Sequence, residues 1–443
     1  MSQVTSFHLD GSPESLGRIA RAGLFAAVWC LVWIGLEPFG DLGSQDLLGL
    51  TTGNDLWIYV SFGLLGAMIV GATIGRWRHF MTALTDRAFI ALVVYIGFNI
   101  VTSSDFAGSL RRYLLFLAVA LIAALVSLLP KDRDEFARLI VGCALFVTLL
   151  SYLGVLLFPQ FAVHQATDLV EARLAGDWRG VFGHKNLAGG VFSTMVFIGI
   201  FAARVGLVVP GIALACLAGL FVLLSAAKSS IIIVVLTLLV SAASAGVKST
   251  FGRALVVFTP LVVLLCLGVG SVISPAIGSV VSALPFDATF TGRTDVWTFA
   301  LEKFAERPVT GYGFLSFWSL ESTKFGIEDD EQWAGSASNG HNGFLDTALN
   351  LGLIGLVLTV IVLVVQPFLN DVKARRAGAD PIMTTLFFQL WLFAIYLSCM
   401  ESFLFSRTDP VWFTLLVAIF GLRMNARFRV VPNQASPSPG GGS

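Results

Sequence analysis

The sequence predicts an all-α polytopic integral membrane protein of about twelve transmembrane helices with two long extracytoplasmic loops. Three observations carry that expectation. Hydrophobic residues make up 56% of the 443 and charged residues only 13%, with a mean hydropathy of +0.83, a balance that polar surface cannot dissolve as a compact globule. Apolar runs of roughly 17–25 residues, the length a helix needs to cross hydrocarbon, recur from near Ala20 to near Leu422. Lys and Arg, finally, collect in alternate connections between those runs.

Taken in order, runs near 20–36, 56–75, 86–102, 110–130 and 136–158 form an N-terminal bundle, 19–158, behind a polar tail, 1–18. Runs near 187–204, 207–225, 229–247, 254–272 and 342–366 belong to a central region, 159–366, which also holds the hydrophilic loops 159–186 and 273–341. Two last runs, 382–402 and 409–423, make a C-terminal group, 367–424, before a Pro/Gly/Ser-rich tail, 425–443, whose composition reads as disorder. The N-terminal stretch lacks the charged, apolar, small-residue order of a cleavable signal, so none is expected. Cys30, Cys143, Cys216, Cys266 and Cys399 all fall inside apolar runs without ligand spacing, and read as small buried hydrophobes rather than disulfides or metal ligands. The chain shows no internal repeat, no glycine-rich nucleotide loop and no paired broken helices of transporter type.

The charge rule sets the orientation. Most of the 28 Lys and Arg, including Arg18, Arg76, Lys131, Arg253, Lys373 and Arg427, fall in one set of short connections, whereas the stretch from Glu37 to Asp55 carries four acids and no base. Both termini are therefore expected to be cytoplasmic, with both long loops on the outer side. A net charge of zero argues for no polyanionic partner, so no nucleic acid is expected.

Basic residues on the outer side run against that rule and need a reason. Arg173, Arg179, Lys185, Lys228 and Arg293 sit at or near the expected outer ends of helices. Spans beginning near 187, 229 and 342 point their positive N-terminal ends outward, and unpaired N–H groups at such ends bind anions. Guanidinium and ammonium groups beside them suit a phosphate or pyrophosphate ligand. Each residue also has a plainer reading. An isolated loop arginine such as Arg179 more often snorkels or meets a lipid headgroup. Asn186 could equally cap the helix that follows, and His184 reads as a hydrogen-bonded interfacial histidine. His341, before a span and beside a phosphate clamp, can take a proton from a sugar hydroxyl near neutral pH. Asp329, Asp330 and Glu331 could join His341 on a metal, but their spacing does not support a site and no metal is expected. Arg111 and Arg112, at the outer start of a span, have only lipid phosphates as a reading. The large loop carries its own helix signal: Thr294 as cap, Val296, Trp297, Phe299, Ala300, Leu301 and Phe304 as an apolar face, and Pro308 beyond. A small-anion transporter is the rival class; it would need polar or broken helices at mid-membrane, where only Asn99, Gln389 and Glu401 approach span interiors.

Five blocks occur in order: RGVFGHKNLAGG (Arg179 to Gly190), LLSAAKSS (Leu223 to Ser230), TGRTDVW (Thr291 to Trp297), RPVTGYGF (Arg307 to Phe314) and GHNGFLDTALNLGLIG (Gly340 to Gly355). Together they resemble the successive blocks of the O-antigen ligase and Wzy-type polymerase superfamily, and the GHKN form is closest to ExoQ-type exopolysaccharide polymerases. The resemblance covers roughly 170–360; the N-terminal spans are similar only in being apolar. It implies a GT-C-like architecture and an inverting glycosyltransferase of the bacterial inner membrane that needs no metal, cofactor or nucleotide sugar. The donor implied is an undecaprenyl-pyrophosphate-linked glycan at the periplasmic face. The acceptor implied is a second lipid-linked glycan, or lipid A core or a protein if the chain is a ligase. A flippase and a chain-length regulator are candidate partners. Carried over by position, Arg179 and Arg293 match arginines thought to bind donor pyrophosphate, and His341 the histidine proposed to activate the acceptor hydroxyl. Lys185, Lys228, His184, Asn186, Asn342 and Arg173 complete the expected pyrophosphate and glycan contacts. Lys228 stands where many relatives have Arg, which removes a bidentate contact.

Overall fold

The computed structural model describes residues 13–42, 55–168, 172–285, 287–319, 337 and 339–428. The Asp329–Glu331 trio and both tail expectations, apart from a few residues at the edges of 1–18 and 425–443, lie outside them. Its helices are α1 (Pro13–Ile34), α2 (Asp55–Thr73), α3 (Trp77–Leu84), α4 (Arg87–Val101), α5 (Phe106–Val126), α6 (Arg133–Leu157), α7 (Pro159–Ala162), α8 (Lys185–Arg204), α9 (Val208–Leu224), α10 (Lys228–Gly246), α11 (Thr250–Leu267), α12 (Val269–Ile273), α13 (Pro275–Ser282), α14 (Arg293–Glu306), α15 (Gly343–Val360), α16 (Gln366–Arg376), α17 (Pro381–Leu397) and α18 (Pro410–Arg427). All twelve apolar runs are thus helical, and the all-α polytopic membrane fold holds. Among the described residues eight helices are long and apolar enough to cross a membrane, or nine if α3 and α4, bent by 54°, form one span. The difference from about twelve has a physical cause. Both α9 and α17 have 17 residues, a rise of about 26 Å against a hydrocarbon core of about 30 Å. Helix α18 loses hydropathy to Arg423, Asn425 and Arg427 in its last turns.

Helix starts follow local chemistry. Asp86, Asp105, Asp132, Asp380 and Asp409 cap α4, α5, α6, α17 and α18 with their carboxylates, and Pro stands at N1 of the last two. Helices α17 and α18 are buried almost all round, which places them at the centre of one continuous core. Peripheral helices keep large apolar side chains outward, Val209, Leu239 and Phe251 among them. Helices α8 and α9 form a tight hairpin in which Gly199 and Gly211 let the backbones touch; a Cβ on Gly199 would stand 2.7 Å from the Gly211 carbonyl oxygen.

Helix α15 is interrupted, which the sequence reading did not anticipate. Gly352 adopts φ 65°, ψ −171°, a conformation open to glycine alone. The RPVTGYGF block fills the break. Tyr312 and Gly313 donate their N–H groups to the Leu349 and Asn350 carbonyls, each at 2.9 Å, and Leu353 donates to the Pro308 carbonyl at 2.8 Å. Tyr95 Oη donates to the Leu351 carbonyl (2.7 Å) and Asn99 Nδ2 to the Thr310 carbonyl (2.6 Å). A Cβ at Gly352 would lie 2.1 Å from the Val309 oxygen, so only glycine admits the loop. Irregular backbone at membrane depth survives where protein satisfies it, as here. Further on, Pro367 has no N–H for the Leu363 carbonyl four residues back. The helix widens to a π-turn over Ile361–Val365, and Trp391 Nε1 donates to that carbonyl at 2.7 Å.

Candidate active site

Helix α14 begins at Arg293, behind Gly292 in the left-handed conformation, so Thr294 is its second residue rather than its cap. Asp287 braces the preceding turn, accepting from the N–H groups of Thr289 and Thr291 and from the Thr289 hydroxyl. Those bonds, the Thr289 hydroxyl foremost, hold its carboxyl below the ordinary carboxylate range. Arg293 and Trp297, four residues apart, share one face of the helix. Trp297 is fully buried, and its indole N–H donates to the Gly340 carbonyl at 2.9 Å. Arg293 reaches the loop between α17 and α18, where Nη2 meets Glu401 Oε1 at 2.8 Å and Nη1 donates to the Met400 carbonyl.

Glu401 is the hub of the arrangement. The sequence places it at the edge of a span, but α17 ends at Leu397 and Glu401 stands clear of the helix. Its Oε1 also accepts from Asn186 Nδ2 at 3.2 Å, while Oε2 faces His341 Nδ1 at 3.6 Å. Burial pushes this carboxyl up, but Arg293 and His341 together outweigh it and leave its pKa below the usual range. Its side chain is 15% exposed, Arg293 is 13% and His341 23%, so the cluster is shielded yet open to a ligand. Asp409 nearby caps α18, and burial pushes its carboxyl up to about 6.

His341 itself is held in the left-handed region at φ 46°, which costs a non-glycine residue of order 1–3 kcal/mol. Its neighbours fix that backbone. Asn339 Oδ1 accepts from the His341 N–H (3.0 Å), Asp346 from the Gly340 N–H (3.0 Å), and Ser402 Oγ from the Asn342 N–H (3.0 Å). With Nδ1 turned to a carboxylate, the imidazole has the orientation of a general base whose Nε2 would face a hydroxyl.

The structure brings together only part of the expected set. Asn186, Arg293 and His341 converge on Glu401. Asn342, expected on substrate, is buried and spent as the cap of α15, accepting from the Phe344 and Leu345 N–H groups and donating to the Cys399 carbonyl. His184, not Asn186, caps α8, with its Nδ1 accepting the Asn186 N–H at 3.1 Å. His164 accepts the Lys185 N–H at 3.2 Å and meets Asp168 at 3.1 Å. Burial holds the His164 imidazole below its ordinary pKa, outweighing Asp168. Lys185 pairs with Asp177 at 2.6 Å. Arg179 is fully buried, donating to the Phe182 and Gly40 carbonyls at 3.1 and 2.8 Å. Lys228 is exposed at the first turn of α10, near enough to Asp287 to lower its pKa slightly, and Arg173 is exposed on a 3-10 turn over residues 172–174. Of the three helix N-termini expected to face an anion, those of α8 and α15 have their first N–H groups taken by side chains or by the Ser398 carbonyl. Only α10 starts without a side-chain cap.

Glu401 is the residue missed. An acid at the last turn of an apolar run is costly in lipid and marks function more often than not, and that signal was present. Its partners were not visible, because they lie 108 and 215 residues away along the chain.

Comparison with known proteins bears on this geometry. Residues 212–360 match the family model described as O-antigen ligase. The match takes in Lys228, Arg293 and His341, stops short of Glu401, and begins after the GHKN block. Among curated proteins, the exopolysaccharide production protein ExoQ of Rhizobium meliloti (strain 1021) is 30% identical over 110 residues, which is 24% of this chain and 25% of the relative. The chain thus spans about a quarter of the length of the curated relative it matches. The resemblance to the O-antigen ligase and Wzy-type superfamily, close to ExoQ, holds.

Proposed function

From the O-antigen ligase domain over residues 212–360 as premise, we propose that this chain is a membrane glycosyltransferase that polymerises lipid-linked oligosaccharide repeat units at the periplasmic face of the inner membrane. The observation that carries the reading is the convergence of Arg293 and His341 on Glu401. The catalytic region then runs beyond 159–366 to include the loop between α17 and α18, and both termini are cytoplasmic.

In this reading the donor is an undecaprenyl-pyrophosphate-linked glycan. The acceptor hydroxyl attacks the anomeric carbon, the bond from that carbon to the pyrophosphate oxygen breaks, and the hydroxyl proton passes to His341 Nε2. Glu401 stabilises the imidazolium that forms and orients the ring. Arg293 exchanges part of its grip on Glu401 for the departing pyrophosphate, whose charge grows in the transition state and is stabilised by a fixed cation. Inversion follows from a single displacement. Asn186 steadies Glu401 from α8. Arg179, its guanidinium spent on the Phe182 and Gly40 carbonyls, does not contact the pyrophosphate in this reading, whereas Lys228, exposed beside an uncapped helix start, is assigned the role of second cation.

The relative's printed role in exopolysaccharide production favours polymerisation, while the family description favours a ligase that transfers finished glycan to lipid A core or protein. The size distribution of surface and secreted polysaccharide in a deletion strain separates them, with wild type, Arg293→Ala or His341→Ala supplied in trans. Single repeat units without long chains support a polymerase. Long lipid-linked chains that fail to attach support a ligase, and an unchanged glycan profile in all three would sink both. Transport is disfavoured because Asn99 holds a loop carbonyl, Glu401 stands outside the helices, and the break in α15 is filled by backbone of residues 308–313.

A further inference from the structure

A cavity of about 350 Å³ lies beside the Glu401 hub and takes no part in the reaction above. Among the described residues its wall includes Asn339, Gly343 and Ser402, which flank His341 and Glu401 along the chain, but not Arg293, Asn186 or Lys228. The cavity thus adjoins the base and not the cations assigned to the pyrophosphate. The charges in its wall are already matched. Arg112, expected at lipid phosphates, turns instead to Asp105, with Nη1 on that carboxylate at 3.1 Å and Nη2 donating to Ser319 Oγ at 3.0 Å. Arg407 is engaged within the protein as well. Asp346 accepts from the Trp318 indole N–H at 2.8 Å and from the Gly340 N–H at 3.0 Å. No counter-ion is called for, and an added charge would have to displace a standing partner.

What the wall does offer is an aromatic ring set among hydroxyl groups. Trp318 is fixed at its rim by Asp346 and packs against Phe317, edge-on at 4.8 Å, and against Phe299 at 6.3 Å. Thr347 has given its hydroxyl proton to the Gly343 carbonyl at 2.7 Å, and a hydroxyl oxygen that has donated can still accept. Ser406 brings a further hydroxyl. A wholly apolar ligand would leave these groups without partners, and an ion would find no unmatched charge. An uncharged sugar ring, apolar on its faces and polar at its rim, suits both the ring and the hydroxyls.

We propose that this cavity is the acceptor subsite, taking an uncharged pyranose of the acceptor glycan with its face on Trp318 and its hydroxyls on Thr347 and Ser406. The choice of a sugar rests on the polysaccharide reading above; the choice of an uncharged one rests on the matched charges. The assignment to the acceptor rests on the residues shared with the His341 loop. Asp346 is the positioning residue of the arrangement. It holds both Trp318 and Gly340, the residue before His341, and so keeps platform and base in one frame, with a hydroxyl of the stacked sugar or its neighbour brought to His341.

Saturation-transfer NMR on the purified full chain in detergent reads this without turnover, with methyl β-D-glucoside, methyl β-D-galactoside and methyl β-D-glucuronide as probes. At least one neutral glycoside should receive saturation, and the glucuronide about tenfold less, because its carboxylate meets Asp346 with no cation released to pair it. The neutral signal should vanish in Trp318→Ala, remain in Trp318→Phe, which keeps a ring, and stand when inorganic pyrophosphate is added. Silence from both neutral glycosides, or a glucuronide signal as strong as theirs, overturns the proposal. So does a neutral signal that survives Trp318→Ala or is lost equally in Trp318→Phe. Displacement by pyrophosphate overturns it too, since the sugar would then lie at the cations. If Trp318→Ala aggregates, Ser406→Leu decides, since it fills the cavity from a half-buried wall position: a lost signal supports the subsite and an unaltered one removes it. Binding is read here and turnover in the polysaccharide profiles, so a subsite that fails leaves the hub standing, and hub variants that still polymerise strike the reaction separately.

Discussion

Arg179 and Arg293 look alike in the sequence, each an outward arginine in a Gly-containing block, yet the fold uses them oppositely. Arg179 is sealed, with its charge spent on the carbonyls of Phe182 and Gly40, and around it two imidazoles and the Lys185–Asp177 pair close off the start of α8. Arg293 is partly open and bound to a carboxylate that also serves His341 and Asn186. A guanidinium that has given its hydrogen bonds to backbone supports a loop; one balanced on a shared carboxylate can be drawn off by a stronger anion. The difference teaches that residue type and position nominate a cation, and its bonding partners decide the role.

The comparison breaks most sharply in turnover. His341→Ala should lower transfer by about 10²–10⁴-fold and Arg293→Lys nearly as much, since an ammonium cannot reproduce the fork; both should retain wild-type membrane levels, and normal polymer synthesis by either variant defeats the hub. Next in size, Arg179→Ala should destabilise by about 2–4 kcal/mol, because two carbonyls lose their donor inside the protein. Thermal unfolding in detergent reads this, and an Arg179→Ala protein that is stable but inactive would return Arg179 to the substrate. Glu401→Gln should cost about 10–100-fold in activity, the usual toll for an orienting partner, and should also change the acid limb of stability. Because the folded-state pKa of Glu401 is depressed, its contribution is complete above its ordinary value of 4.5 and fades as pH falls through the depressed value. Melting curves from pH 6 to 3 should therefore show wild type losing its advantage over Glu401→Gln at the acid end; parallel curves would mean the charge is not held by Arg293. The smallest effect belongs to Lys185→Ala. Its pair with Asp177 is 15% and 25% exposed, worth about 0.2–1 kcal/mol, and a large loss of activity there would mean that GHKN touches substrate after all.

Much of this was legible in the chain. Length and apolarity gave the helices, and acids or Asn before apolar runs marked their starts, as Asp380–Pro381 and Asp409–Pro410 illustrate. Arg293 and His341, which the sequence assigns to one site, both reach Glu401. What could not be read was which polar groups would be consumed by the fold. Asn342 was counted as a ligand contact although a residue before GFLDTALN is well placed to cap that helix, and the caps on α8 came from His184 and from His164, a residue no pattern linked to it. The break in α15 escaped because one glycine among GLIG's two tells nothing of a loop arriving from forty residues upstream. Periodicity reports a residue's own element, whereas saturation of its hydrogen bonds depends on other elements.

The interruption at Gly352 has a consequence for distance. From Gly343 to Gly352 the helix climbs nine residues, about 14 Å at 1.5 Å each, and at the far end the 308–313 strand of loop is sewn into the gap. His341 therefore sits at a set height above a fixed notch in the membrane helix, as on a ruler. In the proposed reaction a polyprenyl carrier brings its sugar to a depth dictated by where its phosphates meet the lipid surface. Those two depths coincide in that reaction, so that adding or removing a single residue of α15 above the notch, a shift of about 1.5 Å and a turn of about 100°, would carry the base past its target.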